Sequence, residues 1–396
     1  MNPMLKLAYV TSHPIQYQAG LFRTLAARPD VDFKVFFASN MGVNAYFDRG
    51  FGREVKWDVP LLEGYDHTFV PNLRRKASVN RFFDLLNPTM GRELSRWGAD
   101  VVIVHGYVHS TMYIVMAHCR LVGIPVLMRG ESNLLPERSL AVRTAKSIAA
   151  RGLRPMLAGA VAIGTLNAEY WRSYGFPDDK IFLAPYSVDN AYFASRVDAA
   201  GERAATWRTE LGISPETHVV GYAAKLSLVK DCATLIRAFG EAAVPDTALV
   251  IAGDGPLRAD LEALAASFPN SKIHFLGFLN QSDMPAAYAI ADLFVLPSNF
   301  EPWGLAINEA MNLGCPVVVS EAVGCAPDLV SPDNGWVFPV ADSNRLRDIL
   351  REALTGPNTK SRLRKMGAAS RHRIAQWSFA ETAQGFVDAA NAVRRT

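Results

Sequence analysis

S-N-F-E-P-W-G-L-A-I-N-E-A-M-N-L-G-C-P-V-V-V, residues 298–319, carries two carboxylates eight residues apart, Glu301 and Glu309. Just upstream, Leu293-Phe294-Val295-Leu296 is a short apolar run that predicts a buried strand. Glu301 then falls on a loop. A helix is expected from Gly304, with Glu309 about one to two turns inside it. Gly314-Cys315-Pro316 stops that helix, and Val317-Val318-Val319 restarts the sheet. The order strand, loop, helix, strand is the repeat of a parallel α/β sheet. The helix N-terminus between the two acids offers N–H groups and a positive dipole end to an anion. An acid, an anion cradle and a second acid in one segment suit a sugar nucleotide. The sugar hydroxyls and the ribose diol can each bond an acid while the diphosphate sits on the helix end.

The same alternation runs outward in both directions. Leu7–Val10, Phe33–Phe37, Val101–Val104, Val126–Met128, Val161–Ile163 and Ile181–Leu183 read as strands, with helices expected near 18–27 and 111–121. A break falls near Tyr186–Asn190. Val219–Ala223 opens a second series, continued by Ala248–Gly253 and Ile273–Gly277. The expected division is a first Rossmann-like domain at 1–195, a second at 196–375, and a last helical segment at 376–396. Open α/β sheets bind ligands beyond the C-terminal ends of their strands, so a cleft between two such domains is the expected site.

Composition bounds the function. The chain has 396 residues, 49% hydrophobic and 20% charged, enough for two ordered domains. Net charge is +3, which gives no general case for nucleic acid. Residues 1–195 hold 22 Lys and Arg against 16 Asp and Glu, whereas residues 196–350 hold 10 against 19. An acidic second half further disfavours a nucleic-acid partner. The four cysteines form no C-x-x-C pair, so neither a disulfide framework nor a zinc site is expected and a reducing cytoplasm fits. The N-terminus lacks the pattern of a signal peptide, and no run of apolar residues is long enough to span a membrane.

Two ammonium groups lie in A-A-K-L-S-L-V-K-D, at Lys225 and Lys230, just after the strand ending at Ala223. Above a strand end they can neutralise a diphosphate and the charge that develops on it as a sugar departs. Gly253 and Gly255, in A-G-D-G-P-L, permit a tight turn and close approach to the backbone. In the first half, Ser12-His13-Pro14-Ile15-Gln16-Tyr17 follows the opening strand, His105-Gly106-Tyr107 follows strand 101–104, and Arg129-Gly130-Glu131 follows strand 126–128. All three stand where a cleft would be.

Together these strings resemble the family 4 retaining glycosyltransferases, across nearly the whole chain. Residues 298–319 resemble that family's E-x7-E signature, and H-P-I-Q-Y at 13–17 resembles the start of a bacterial subgroup. The resemblance implies the GT-B fold: two Rossmann-like domains facing each other across a cleft, with the C-terminal helix crossing back to the first. It implies a nucleoside-diphosphate sugar as donor, retention of anomeric configuration, no metal and no other cofactor. Glu301 matches the acid beside the donor sugar and Glu309 the acid that holds the ribose. Trp303 stands where Phe is usual, and Gly304-Leu305 match the residues whose backbone lies near the distal phosphate. Lys225 and Lys230 match the two cations of G-R-L-x-x-x-K-G, with Ala224 for the first Gly, Lys for Arg, and Asp231 for the last Gly. Gly253 and Gly255 match a G-x-G-P turn, and Phe278 a wall of the base pocket. His13 is placed in the catalytic set; Gln16, Tyr17, His105, Arg129 and Glu131 are placed on the acceptor side. Glu131 stands where many members have His.

The basic residues Arg74, Arg75, Lys76, Arg81, Arg138, Arg143, Lys146, Arg151 and Arg154, interleaved with apolar ones, fit either a surface that meets anionic lipid headgroups or a solvated charged face. The function expected is transfer of a sugar to a glycan or lipid-linked glycan acceptor in bacterial cell-envelope polysaccharide synthesis, in the cytoplasm or at the inner face of its membrane. The alternatives are a sugar-nucleotide epimerase of the same fold and a non-catalytic nucleotide-sugar-binding subunit.

Overall fold

The computed structural model describes residues 4–48, 50–74, 78–136, 144 and 150–394. Arg75, Lys76, Arg138, Arg143 and Lys146 of the expected basic surface lie outside the described residues. The chain forms two compact units. The first comprises Met1–Tyr46, Val59–Tyr186 and Ser378–Thr396; the second comprises Phe47–Asp58 and Ser187–Trp377. The expected division at 1–195 assigns residues 47–58 to the first domain. They pack with the second, because Phe51 and Arg53 sit on Phe278 and the Asn280 and Ser282 side chains bond Lys56 and Asp58.

In the first unit seven parallel strands lie side by side in the order Asp66–Phe69, Val31–Phe37, Leu5–Thr11, Val101–His105, Val126–Arg129, Gly159–Ala162, Ile181–Leu183. The opening strand is buried on both faces, which its near-continuous apolar sequence anticipates. Leu5, Leu7 and Tyr9 enter one core with the helices Gln16–Ala26 and Phe379–Val393. Ala8 and Val10 enter the opposite core with Met90–Trp97 and Ser110–Val122. The winding direction reverses between Leu5–Thr11 and Val101–His105, so the loops after these strands part and leave a crevice.

The second unit repeats the scheme with six parallel strands: Lys272–Gly277, Thr247–Ala252, His218–Ala223, Leu293–Leu296, Val317–Ser320, Gly335–Phe338. Its reversal falls between His218–Ala223 and Leu293–Leu296. The loops that carry Lys225 and Glu301 are therefore the two that border this crevice.

The last helix belongs to the first unit. Ser378 caps it, its hydroxyl accepting from the Ala380 N–H while Glu381 reaches back to the Ser378 N–H at 3.2 Å. Close approach depends on two glycines. A Cβ on Gly385 would lie 2.3 Å from the Leu183 carbonyl oxygen, and one on Gly20 would lie 2.4 Å from the Phe379 ring. Gly385→Val is therefore expected to cost about 2–3 kcal/mol of stability. A urea melt checks this; an unchanged midpoint would contradict the packing described. Among the described residues, no helix is long and apolar enough to cross a membrane.

Candidate functional site

In the second unit the polypeptide brings the two crevice loops together through its backbone. Leu228–Lys230 forms a single 3-10 turn, and Asn299 ties to it, donating from its N–H to the Val229 carbonyl at 2.8 Å and from its side chain to Leu228 at 3.1 Å. That tie sets Lys230 against Glu301, and the two side chains form an ion pair, 24% and 14% exposed. Burial, with the nearby charge of Lys225, pushes the Lys230 ammonium down to about 8. Asp231 takes the left-handed conformation, φ 45°, that glycine would adopt without cost. It also caps the Cys232–Ala242 helix, accepting from the Thr234 hydroxyl at 2.7 Å. Its carboxylate is thus turned to the helix, so the acid beside Lys230 is accommodated as a cap.

Glu301 is held from behind. Its N–H donates to the Ala322 carbonyl, and its own carbonyl accepts from Gly324 at 2.9 Å. Gly324 is required there, because a Cβ would lie 1.9 Å from the Pro302 oxygen. Gly304, at φ 103°, then turns the chain into the Leu305–Asn312 helix. Glu309 sits on that helix, accepting from the Tyr288 hydroxyl at 2.5 Å and lying 3.5 Å from the Gln281 amide. Burial raises its carboxyl above the usual range.

Trp303 takes a different place from the one expected. The Trp303 side chain is not a wall of the site. It is 2% exposed, stacks on Trp377 and donates to Asn308 at 2.9 Å, so it anchors the loop from inside. Gly253 and Gly255 serve backbone packing. Cβ atoms there would lie 2.0 Å from the Ala224 oxygen and 2.5 Å from the Leu226 oxygen, so the glycines seat the lysine loop. Phe278 carries the Phe51 ring on its edge and the Arg53 guanidinium on its face.

Lys225 is also paired. Its ammonium lies 2.9 and 3.0 Å from the two oxygens of Asp48, over the face of Phe51 at 4.3 Å. Sequence reading missed Asp48, Tyr288 and Gln281. Gly50 and Gly52 between short β-prone stretches were an available sign of a hairpin, the pair Tyr46–Asp48 and Arg53–Val55. Nothing local marks Tyr288 or Gln281 as partners of Glu309.

The first unit gathers a separate polar set at its own crevice. His105 lies at the end of its strand, with Nδ1 2.5 Å from the Tyr9 hydroxyl and 3.4 Å from the Gln18 amide nitrogen. Its Nε2 lies 3.6 Å from the Glu131 carboxylate. The Glu131 carboxylate also accepts from the Tyr186 hydroxyl. Burial would raise that carboxyl, but His105, Tyr186 and the Arg129 charge outweigh it and hold it low. Tyr17 meets Tyr186 edge to face. Gln16 opens the Gln16–Ala26 helix beside them. His13 is held neutral: burial and the neighbouring His109 and His105 push it down to about 4. Arg129 corrects the expectation of a residue open to the acceptor side. It is 1% exposed, packed between Tyr186 and Phe386, and donates to the Ala184 carbonyl at 2.9 Å. It therefore supports Glu131 from within.

The four cysteines are buried thiols, and burial pushes Cys119 and Cys315 up to about 12. Among the described residues, no group of three His, Cys, Asp or Glu side chains gathers as a metal site would need.

Residues 204–372 match the family model described as glycosyl transferases group 1. The chain is 34% identical over 205 residues to a GDP-mannose-dependent monoacylated alpha-(1-6)-phosphatidylinositol monomannoside mannosyltransferase of Corynebacterium glutamicum, covering 49% of this chain and 52% of that protein. It is 32% identical over 178 residues to an uncharacterized glycosyltransferase of Methanocaldococcus jannaschii, covering 44% of this chain and 45% of that one. The chain thus spans about half the length of these curated relatives. The crystal structure of Anabaena HepE in complex with UDP superimposes with a TM-score of 0.73 at 18% identity, over 97% of this chain and 99% of that one. The fold is GT-B, with a parallel sheet in each of two Rossmann-like units.

Proposed function

We propose that the protein is a glycosyltransferase that moves a sugar from a nucleoside-diphosphate sugar to a glycan or lipid-linked glycan acceptor, with retention and without a metal. The observation that carries this reading is the second-unit crevice. There Lys230 pairs with Glu301 beside Lys225, and Glu309 waits one helix away. Lys225, Lys230 and the backbone at Gly304-Leu305 hold the diphosphate. Glu309 accepts from the ribose hydroxyls and Glu301 from hydroxyls of the donor sugar. As the bond from the anomeric carbon to the phosphate oxygen breaks, its electron pair goes to the phosphate, and the two ammonium groups stabilise that charge. The acceptor oxygen attacks the same face, and its proton passes to the departing phosphate. His13, neutral at pH 7, orients hydroxyls and takes no proton. Gln16, Tyr17, His105 and Glu131 supply hydrogen bonds on the acceptor side.

A lipid-linked acceptor is supported by the first unit's surface. Phe82 and Phe83 are 41% and 59% exposed there, and Arg74 and Arg81 flank them in sequence. Such a surface suits an anionic headgroup layer, which would place the enzyme at the inner face of the cytoplasmic membrane. The Corynebacterium relative is named for GDP-mannose and HepE was crystallised with UDP, so both nucleotides are the donors to try.

The test is acceptor-dependent release of nucleoside diphosphate, with labelled UDP- and GDP-sugars and a bacterial lipid extract. A labelled glycolipid and EDTA-insensitive release are expected. An isomerised free donor with no acceptor requirement would instead make it an epimerase. Bound donor with neither transfer nor isomerisation would make it a binding subunit.

A pH prediction follows from Lys230. Its ammonium titrates near 8 in the free site, and a bound diphosphate raises that value by adding negative charge. Binding therefore takes up a proton wherever the free lysine is neutral. Affinity should be level below about pH 8 and fall by up to about tenfold per unit above it. Nucleotide titration at pH 7 and pH 9 checks this; equal affinities would contradict it.

A further inference from the structure

The Phe47–Asp58 segment does something the transfer reaction does not require. It leaves the rest of the first unit's chain and lies on the second unit as a small hairpin. Besides its contacts with Phe278, Asn280 and Ser282, it is attached at Lys225. Asp48 presents both carboxylate oxygens to the Lys225 ammonium, at 2.9 and 3.0 Å. The same carboxylate is fixed by the hairpin's own backbone, accepting from the Gly50 N–H at 2.7 Å and the Phe51 N–H at 3.1 Å. Phe51 covers the ammonium with its ring face, and the backbone at Gly50 comes so near that a Cβ there would lie 2.7 Å from Nζ. Phe51 and Arg53 grip Phe278.

Phe47 is 65% exposed. A cavity of about 490 Å³ opens between the hairpin's tip, at Phe51 to Glu54, and the Asp254–Pro256 turn.

A carboxylate with two oxygens on one ammonium occupies the position a phosphate would take. Both cannot have it, since two anions at that range repel. We propose that the Phe47–Asp58 hairpin is a strap over the phosphate cation: Asp48 holds Lys225 in the unliganded protein and yields it when the diphosphate of the donor binds. This rests on the reading of Lys225 as a phosphate cation. The strap keeps the lysine from binding stray anions, and a ligand must bring more negative charge than one carboxylate to displace it. A diphosphate does; inorganic phosphate alone competes poorly.

The experiment measures binding of UDP, GDP and inorganic pyrophosphate to the full chain by calorimetry. Asp48→Asn keeps an acceptor for the Gly50 and Phe51 N–H groups but removes the charge. It is expected to tighten binding of pyrophosphate, and of whichever nucleotide binds, by up to about fivefold, the upper end for a partly exposed pair. Gly50→Val, which pushes the hairpin off Lys225, should tighten binding in the same direction. In a Lys225→Ala background, Asp48→Asn should change nothing. Hydrogen exchange needs no variant: the Gly50 and Phe51 amides should exchange faster when ligand is bound. Equal affinity of wild type and Asp48→Asn overturns the strap, as does an Asp48→Asn effect that survives in Lys225→Ala, or slower exchange with ligand. If no protein binds any of the three ligands, the phosphate-site reading itself fails and the strap falls with it.

Discussion

Lys230→Ala is expected to lower turnover by about 10²–10³-fold, the largest effect of any single change in the chain. Two losses combine. The ammonium no longer stabilises the departing phosphate, and Glu301, whose side chain is 14% exposed, loses the cation that pairs with it. An unpaired carboxylate at that depth takes up a proton or turns to solvent, and either change removes it from the donor sugar. Lys230→Arg restores the charge and the partner for Glu301. Its planar fork cannot reproduce the point contact of an ammonium, so it should recover only part of the rate. The comparison separates charge from geometry when kcat is measured at saturating donor. Turnover unchanged in Lys230→Ala would remove the residue from the chemistry.

Glu309→Ala should instead act on binding. The carboxylate accepts from Tyr288, which is 1% exposed and has no solvent to replace the lost acceptor. Stranding a buried hydroxyl costs about 1–3 kcal/mol, and the ribose hydrogen bonds are lost as well. Donor affinity should fall by about 10²-fold, with a lowered melting temperature. Glu309→Gln separates the two terms. Its amide oxygen still accepts from Tyr288, so stability should return, while the weaker neutral acceptor leaves affinity reduced. A stable Glu309→Ala with normal donor affinity would show that neither role is real.

Much of this was legible in sequence because it is local. Strand runs such as Leu293–Leu296 are bounded by turn residues, and a parallel sheet buried on both faces leaves long apolar runs that are hard to misread. Glu301 and Glu309 sit in one segment whose Gly304 and Pro316 set its geometry, so their placement could be read from spacing. What was not legible depends on contacts far apart in the chain. The pairing of Lys230 with Glu301 spans 71 positions and is arranged by Asn299, which carries no motif of its own. Asp48 reaches Lys225 across 177 positions. Arg129 is expected on the acceptor side because it follows a strand, yet its guanidinium packs on aromatic rings inside the unit. Trp303 is expected at the donor because it lies within the signature, yet its side chain is buried against Trp377. Residue type and spacing gave the candidate residues; which way each side chain turned was decided by packing partners.

The measurement that tests the central claim most directly is a thermal-shift panel of UDP-, GDP-, ADP- and dTDP-sugars, with and without EDTA, on wild type and Glu309→Ala. A donor that binds the folded site raises the melting temperature by mass action. A shift with one nucleotide, unaffected by EDTA and lost in Glu309→Ala, is the result predicted. No shift with any of the four, or a shift that Glu309→Ala leaves intact, would contradict a donor site in the second-unit crevice.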